Sequence, residues 1–111
     1  MEKFMLIFHG GSHPSSSPEE MQAQMGKWMS WIEKLRKEDR YVTGEPLVPG
    51  GKLLSGADKA VTDGPFTEGK EVVGGFFIVR SGNLDEAVEM AKDYPDFNQG
   101  GTVQVRQVMK M

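Results

Sequence analysis

Two segments of this chain are apolar on both sides, and this limits the fold more than any other feature. Phe4-Met5-Leu6-Ile7-Phe8 and Val72-Val73-Gly74-Gly75-Phe76-Phe77-Ile78-Val79 read as buried strands. Successive side chains of a strand point to opposite faces. Phe4, Leu6 and Phe8 therefore share one face, and Met5, Ile7 and His9 share the other. In the later strand Val73, Phe77 and Val79 oppose Val72, Phe76 and Ile78. A half-solvated strand alternates apolar with polar residues. These two do not, so something must cover each of them twice.

The rest of the chain supplies one cover. Ser17-Pro18-Glu19-Glu20 is a helix start, with Ser at the cap, Pro in the first turn and Glu three residues after the cap. Met21, Met25, Trp28, Met29, Ile32 and Leu35 then form an apolar stripe at helical spacing, which predicts a helix to about Asp39. Its methionines read as adaptable core filler rather than as metal ligands. Tyr41 to Leu47 is a candidate strand closed by Pro49-Gly50-Gly51. Lys52–Leu54 and Lys59–Thr62 suggest a small hairpin around Ser55-Gly56-Ala57-Asp58. Asn83-Leu84-Asp85-Glu86 repeats the capping pattern, Leu84, Ala87, Val88 and Ala91 supply a second stripe, and Tyr94-Pro95 ends it. Thr102 to Val108 alternates, with Val103 and Val105 on one face and Gln104 and Arg106 on the other.

The predicted order βαββαβ describes an α+β, ferredoxin-like sandwich: one antiparallel sheet, its first and third strands central, and both helices on one face. The two most apolar strands fall where that fold needs them. At 111 residues the chain reads as one domain, 1–111. The face away from the helices still lacks a cover. A second copy of the chain is the simplest one, giving a two-fold homodimer with on the order of 800 Å² buried per partner. The other reading folds the middle segment over that face.

Composition removes several function classes. The net charge is −3, from 13 basic and 16 acidic residues without a like-charge block, so neither a nucleic-acid footprint nor a basic membrane surface is expected. The chain has no cysteine, hence no disulfide framework and no thiolate chemistry. The apolar run Met5–Phe8 is too short for a leader or a membrane span, and a cytoplasmic location is the expectation.

Val61-Thr62-Asp63-Gly64-Pro65-Phe66-Thr67-Glu68, followed by Lys70-Glu71, Gly74-Gly75 and Phe76-Phe77, resembles the DGPF branch of the YCII-related proteins. Met5-Leu6-Ile7, Ser17-Pro-Glu-Glu-Met21, Gly44-Glu-Pro-Leu47, Leu84-Asp-Glu-Ala87 and Val103-Gln-Val-Arg-Gln-Val108 extend the resemblance over nearly the whole chain. The resemblance implies a dimeric α+β barrel, two ferredoxin-like sheets packed face to face. It implies no single activity. The related YCII branch is suspected of using a helix His paired with an Asp. Trp28 stands at the position of that His, and Gly51-Lys52 near that of the Asp, so the dyad is missing here.

The candidate acid–base residues are His9, Asp63 and Glu71. His9 ends the first strand beside a Gly-Gly loop, and histidine is a residue type that suits a general base. Its structural alternative is a partly buried ring bonded to backbone. Asp63 suits the caps of its own turn, or else a carboxylate at a cleft mouth. Glu71 and Lys70 suit solvated ion pairs, or an acid and an anion holder. Trp31, Lys70 and Arg106 are the candidate ligand contacts: Trp31 nears the edge of the helix stripe, Trp28 belongs to the core, and Arg106 suits a carboxylate or an interface ion pair. His9 and His13 without a spaced carboxylate cluster make no metal site. Ser17 is accounted for as a cap. The glycines match neither a dinucleotide nor a phosphate loop, so no cofactor is expected.

Three functions stay open: a cofactor-free enzyme acting on a small organic acid, its cleft between sheet and helices; a non-catalytic ligand-binding or regulatory module; and a partner-binding module using the dimer surface. A His9–carboxylate pocket favours the first, an apolar pocket the second, an exposed apolar patch without a pocket the third.

Overall fold

A computed structural model describes residues 1–10, 17–48, 50–64 and 72–111. The elements run β1 (Glu2–His9), α1 (Pro18–Lys37), β2 (Tyr41–Pro46), β3 (Lys52–Ser55), β4 (Ala60–Asp63), β5 (Val73–Ser81), α2 (Leu84–Ala91) and β6 (Thr102–Gln107), with a 3₁₀ turn at Phe97–Gln99. Four strands form one antiparallel sheet in the order β2-β5-β1-β6. The apolar strands β1 and β5 are central, as the ferredoxin-like fold requires. The pair β3-β4 forms a separate two-stranded hairpin.

The local signals act as their chemistry dictates. Ser17 Oγ accepts from Glu20 N at 3.1 Å, and Asn83 Oδ1 accepts from Glu86 N at 2.8 Å, so both helices begin at the expected caps. At the end of α1, Asp39 takes a left-handed conformation (φ 57°). Arg40 N donates to Leu35 O at 2.8 Å and Asp39 N to Arg36 O at 3.0 Å, the two bonds of a Schellman stop. Glycine usually fills that position; here an aspartate does.

One face of the sheet carries the core. Phe4, Leu6, Phe8, Phe77 and Val79 pack against Trp31 and Leu35 of α1, Ala87 and Ala91 of α2, and Tyr94. The alanines let α2 lie close on the sheet. Gly44 of β2 does the same for the ring of Phe77: a Cβ there would overlap that ring and lie 2.7 Å from Phe76 O.

Several sequence expectations need correction. Met21, Met25 and Met29 are 53–60% exposed and are not core filler: Met21 and Met25 lie in the N-terminal half of α1, beyond its buried residues, and Met29 lies off the face that carries Trp31 and Leu35. Trp31 is the buried indole, at 3% exposure, while Trp28 is half-buried beside it; the helix is rotated so that Trp31 and Leu35 point inward. Leu84 and Val88 are 50% and 38% exposed, since only the alanine side of α2 meets the sheet. Strand β2 ends at Pro46 rather than Leu47, β5 begins at Val73, and α1 stops two residues before Asp39. Among the described residues the β3-β4 part of the middle segment does not fold over the sheet: every residue of β3 and β4 is exposed.

Candidate functional site

Strand parity and ladder register define the sheet face that the helices leave open. Met5 pairs with Ile78 and Arg106, and Ile7 with Phe76 and Gln104. Glu45 and Thr43 of β2 stand opposite Phe76 and Ile78. Met5, Ile7, Phe76 and Ile78 thus form an apolar centre across both inner strands. Each is half-buried, shielded by its neighbours in the sheet. Polar residues rim it: Arg106 and Gln104 on the β6 side, Thr43 and Glu45 on the β2 side. No described helix or strand lies over this face.

His9 belongs to the same face. It ends β1 opposite Thr102, where the β1–β5 register shifts so that His9 pairs with Val73. Gly10 N then donates to Val72 O at 3.0 Å. Arg106 stands opposite Met5, so His9 and Arg106 share the rim but lie roughly 13 Å apart along the ladder. His9 is half-buried. It therefore does not face the space between sheet and helices, where the enzyme reading sets the cleft.

That space is filled. Phe8 stacks on Tyr94 at 5.2 Å between ring centres and meets Trp28 edge-on at 5.1 Å and Phe77 at 4.9 Å. Trp31 lies 5.0 Å from Phe77 and 5.6 Å from Trp28. Such contacts add to the area they bury. Trp28, the position of the absent helix His, is part of this cluster. Burial, reinforced by the charge of Asp96, pushes the Tyr94 hydroxyl up to about 12. The buried Nε1 of Trp31 has no partner among the described residues.

Asp63 lies elsewhere. It ends β4 and pairs with Lys52 of β3 across the hairpin, with both side chains well exposed (76% and 64%). Its carboxylate takes the Lys52 ammonium, because the cross-strand register sets the two side chains opposite each other; most of the turn that Asp63 was expected to cap lies outside the described residues. Such a pair is worth little in water. Lys70, Glu71 and His13 fall outside the described residues. Among the described residues no three His, Cys, Asp or Glu side chains gather as metal ligands would.

Two shallow open grooves run along the outer side of α1. One is lined by Met29, Ser30, Glu33, Lys34, Lys37 and Glu38. Trp31 contributes to the second, beside Lys27, Ser30, Lys34 and Asp93. Lys34 donates to Asp93 at 3.0 Å, and that bond and charge hold its pKa above the usual lysine value. Neither groove holds a histidine. The structure thus brings together His9 and Arg106 on one face, and leaves Asp63 and Trp31 apart from them. Strand parity alone sets the rim residue Gln104 on one face with Arg106, without marking it as a site residue, whereas Thr43 and Glu45 need the β2 register. No described helix is long and apolar enough to cross a membrane.

Residues 4–111 match the YCII-related domain. An uncharacterised protein of Rhizobium meliloti (strain 1021) is 40% identical over 113 positions, covering 92% of this chain and 87% of the relative. Among solved structures, the chain is similar to a 5-chloro-2-hydroxyhydroquinone dehydrochlorinase from Burkholderia phenoliruptrix AC1100, solved in complex with 2,5-dihydroxybenzoquinone. The TM-score is 0.51 at 17% identity, over 98% of this chain and 95% of that one. At that identity the likeness shows a shared fold.

Proposed function

Because the chain belongs to the YCII-related family, we propose that it works as a homodimeric module that binds a small organic acid between its subunits without transforming it. The observation that carries this reading is the open face of the sheet. Met5, Ile7, Phe76 and Ile78 offer an apolar floor, with Arg106, Gln104 and His9 on its rim. A second copy placed over that floor removes its remaining exposed area from water, at about 25 cal/mol per Å² of apolar surface. The same closure leaves a dry space edged by cationic and polar groups. Arg106 offers a two-pronged partner for a carboxylate.

The test has two parts. Light scattering at micromolar concentration should give twice the chain mass. A thermal-shift screen of small carboxylic acids should find stabilising ligands, and Arg106→Ala should abolish the shift with the dimer intact. A monomer overturns the reading, as does a ligand shift that Arg106→Ala leaves unchanged.

A second reading keeps the enzyme. The dehydrochlorinase of the same fold was solved with a quinone, and His9 sits at the rim of the open face. Here His9 would serve as general base on a small organic acid, with Asp63 or Glu71 as the carboxylate and Trp31, Lys70 and Arg106 as ligand contacts. Turnover of any screened acid, lost in His9→Ala and retained in Asp63→Asn, would favour His9 alone. Loss in both would join the hairpin to the site.

A further inference from the structure

The β3-β4 hairpin is a separate problem from the open face. Its eight residues are all exposed, including Leu53, Leu54 and Val61 at 52%, 61% and 60%. Leu47 and Val48, on the way into it, are 51% and 86% exposed. Leu54 pairs with Val61, and Lys52 with Asp63, so these four residues share one side of the ribbon. A lone two-stranded hairpin is marginal in water. Among the described residues this one packs on neither helix nor sheet of its own chain.

The overall dimensions point the same way. The radius of gyration is 15.5 Å, where a compact chain of this length has about 13 Å. The accessible surface is 7908 Å², where a compact protein of 12.3 kDa exposes roughly 6,100 Å². The surplus, about 1,800 Å², exceeds the ~800 Å² that each partner of a standard complex buries. The flat outline, 45 × 44 × 18 Å, and the exposed hairpin both add to that surplus. The hairpin also suits a like partner electrostatically. Lys52 and Lys59 balance Asp58 and Asp63, so it brings no net charge toward an acidic twin of net charge −3.

We propose that the β3-β4 hairpin is an arm that packs on a second copy of this chain, with the Leu54–Val61 pair as its apolar anchor and the Lys52–Asp63 pair at its rim. This rests on the homodimer reading above and adds a second contact region, remote from the open face. It also gives Asp63 a place against the partner rather than in its own subunit.

Photo-cross-linking separates the two claims. Chains carrying p-benzoylphenylalanine in place of Phe76 report on the open face, and chains carrying it in place of Leu54 report on the arm. Each is mixed with isotope-labelled wild-type chain, so that a cross-link between copies shows mixed isotopes. Both positions should cross-link between copies. Cross-links from position 76 with only same-chain products, or none, from position 54 overturn the arm and leave the dimer. No inter-copy product at either position overturns both. As a second readout, Leu54→Asp with Val61→Asp should weaken dimerisation at least tenfold while leaving the far-ultraviolet circular dichroism unchanged. An unaltered dimer constant counts against the arm.

Discussion

The two faces of the central strands contrast sharply, although one pair of strands makes both. On one, Leu6 and Val79 are wholly buried beneath helices and Phe4 is nearly so. On the other, among the described residues, Ile7, Ile78 and Met5 are shielded only by their neighbours in the sheet. Residue type does not distinguish the faces; the cover does. The helices spend their small and aromatic residues on one face, and nothing described remains for the second. A family fold can thus be completed within the chain on one face while the other stays available for assembly.

The largest expected effect tests the closed face. Leu6→Ala should cost about 2–5 kcal/mol in urea or guanidinium unfolding, since it empties space that α1 and β5 cannot collapse to fill. Its neighbour in sequence, Ile7→Lys, should leave the subunit folded but convert the proposed dimer to a monomer, read as a halved mass in light scattering. If Ile7→Lys unfolds the chain as badly as Leu6→Ala, or leaves the dimer whole, the contrast between faces fails. Next comes the pH response of the closed face. Tyr94 has its pKa raised from 10.0 to about 12 in the folded chain, chiefly by burial. The protonated ring is therefore favoured by folding. Its contribution is fully present below pH 10 and is lost as pH climbs from 10 through about 12. Tyr94→Phe should make the stability flatter across that window, measured as melting temperature against pH; an unchanged alkaline slope would place the titrating group elsewhere. The smallest effect lies at the end of α1. Asp39→Gly should raise stability by up to about 1 kcal/mol, because glycine adopts the left-handed stop without a Cβ penalty. A loss instead would show that the long contact from Arg80 to the exposed Asp39 matters.

The fold was largely legible because its signals are local. Ser17 and Asn83 each cap a helix through bonds three residues long, and the alternation in β1 and β5 fixes which side chains share a face. The orientation of α1 was not legible. Trp28 and Trp31 are both aromatic and three apart, so a rotation of the helix exchanges their roles at no cost visible in the sequence. Nor was the exposure of Met21 and Met25, because spacing reports the side of a helix and not how far the sheet beneath it extends. The candidate site was legible only in part. Parity assigned His9 and Arg106 to one face. Asp63 depended on where the hairpin lies, which is a tertiary matter. The partner of Asp63 was written in the sequence only as a lysine near Gly-Gly, and the cross-strand register decided it.

Both indoles of the chain belong to one aromatic nest with Phe8, Phe77 and Tyr94. Intrinsic tryptophan fluorescence of this protein is therefore a single-spot thermometer of the packing between α1 and the sheet. It will register the melting of that spot faithfully and stay dark to a hairpin that detaches, so two optical probes that disagree during denaturation would mark the arm's departure and not a second folding route.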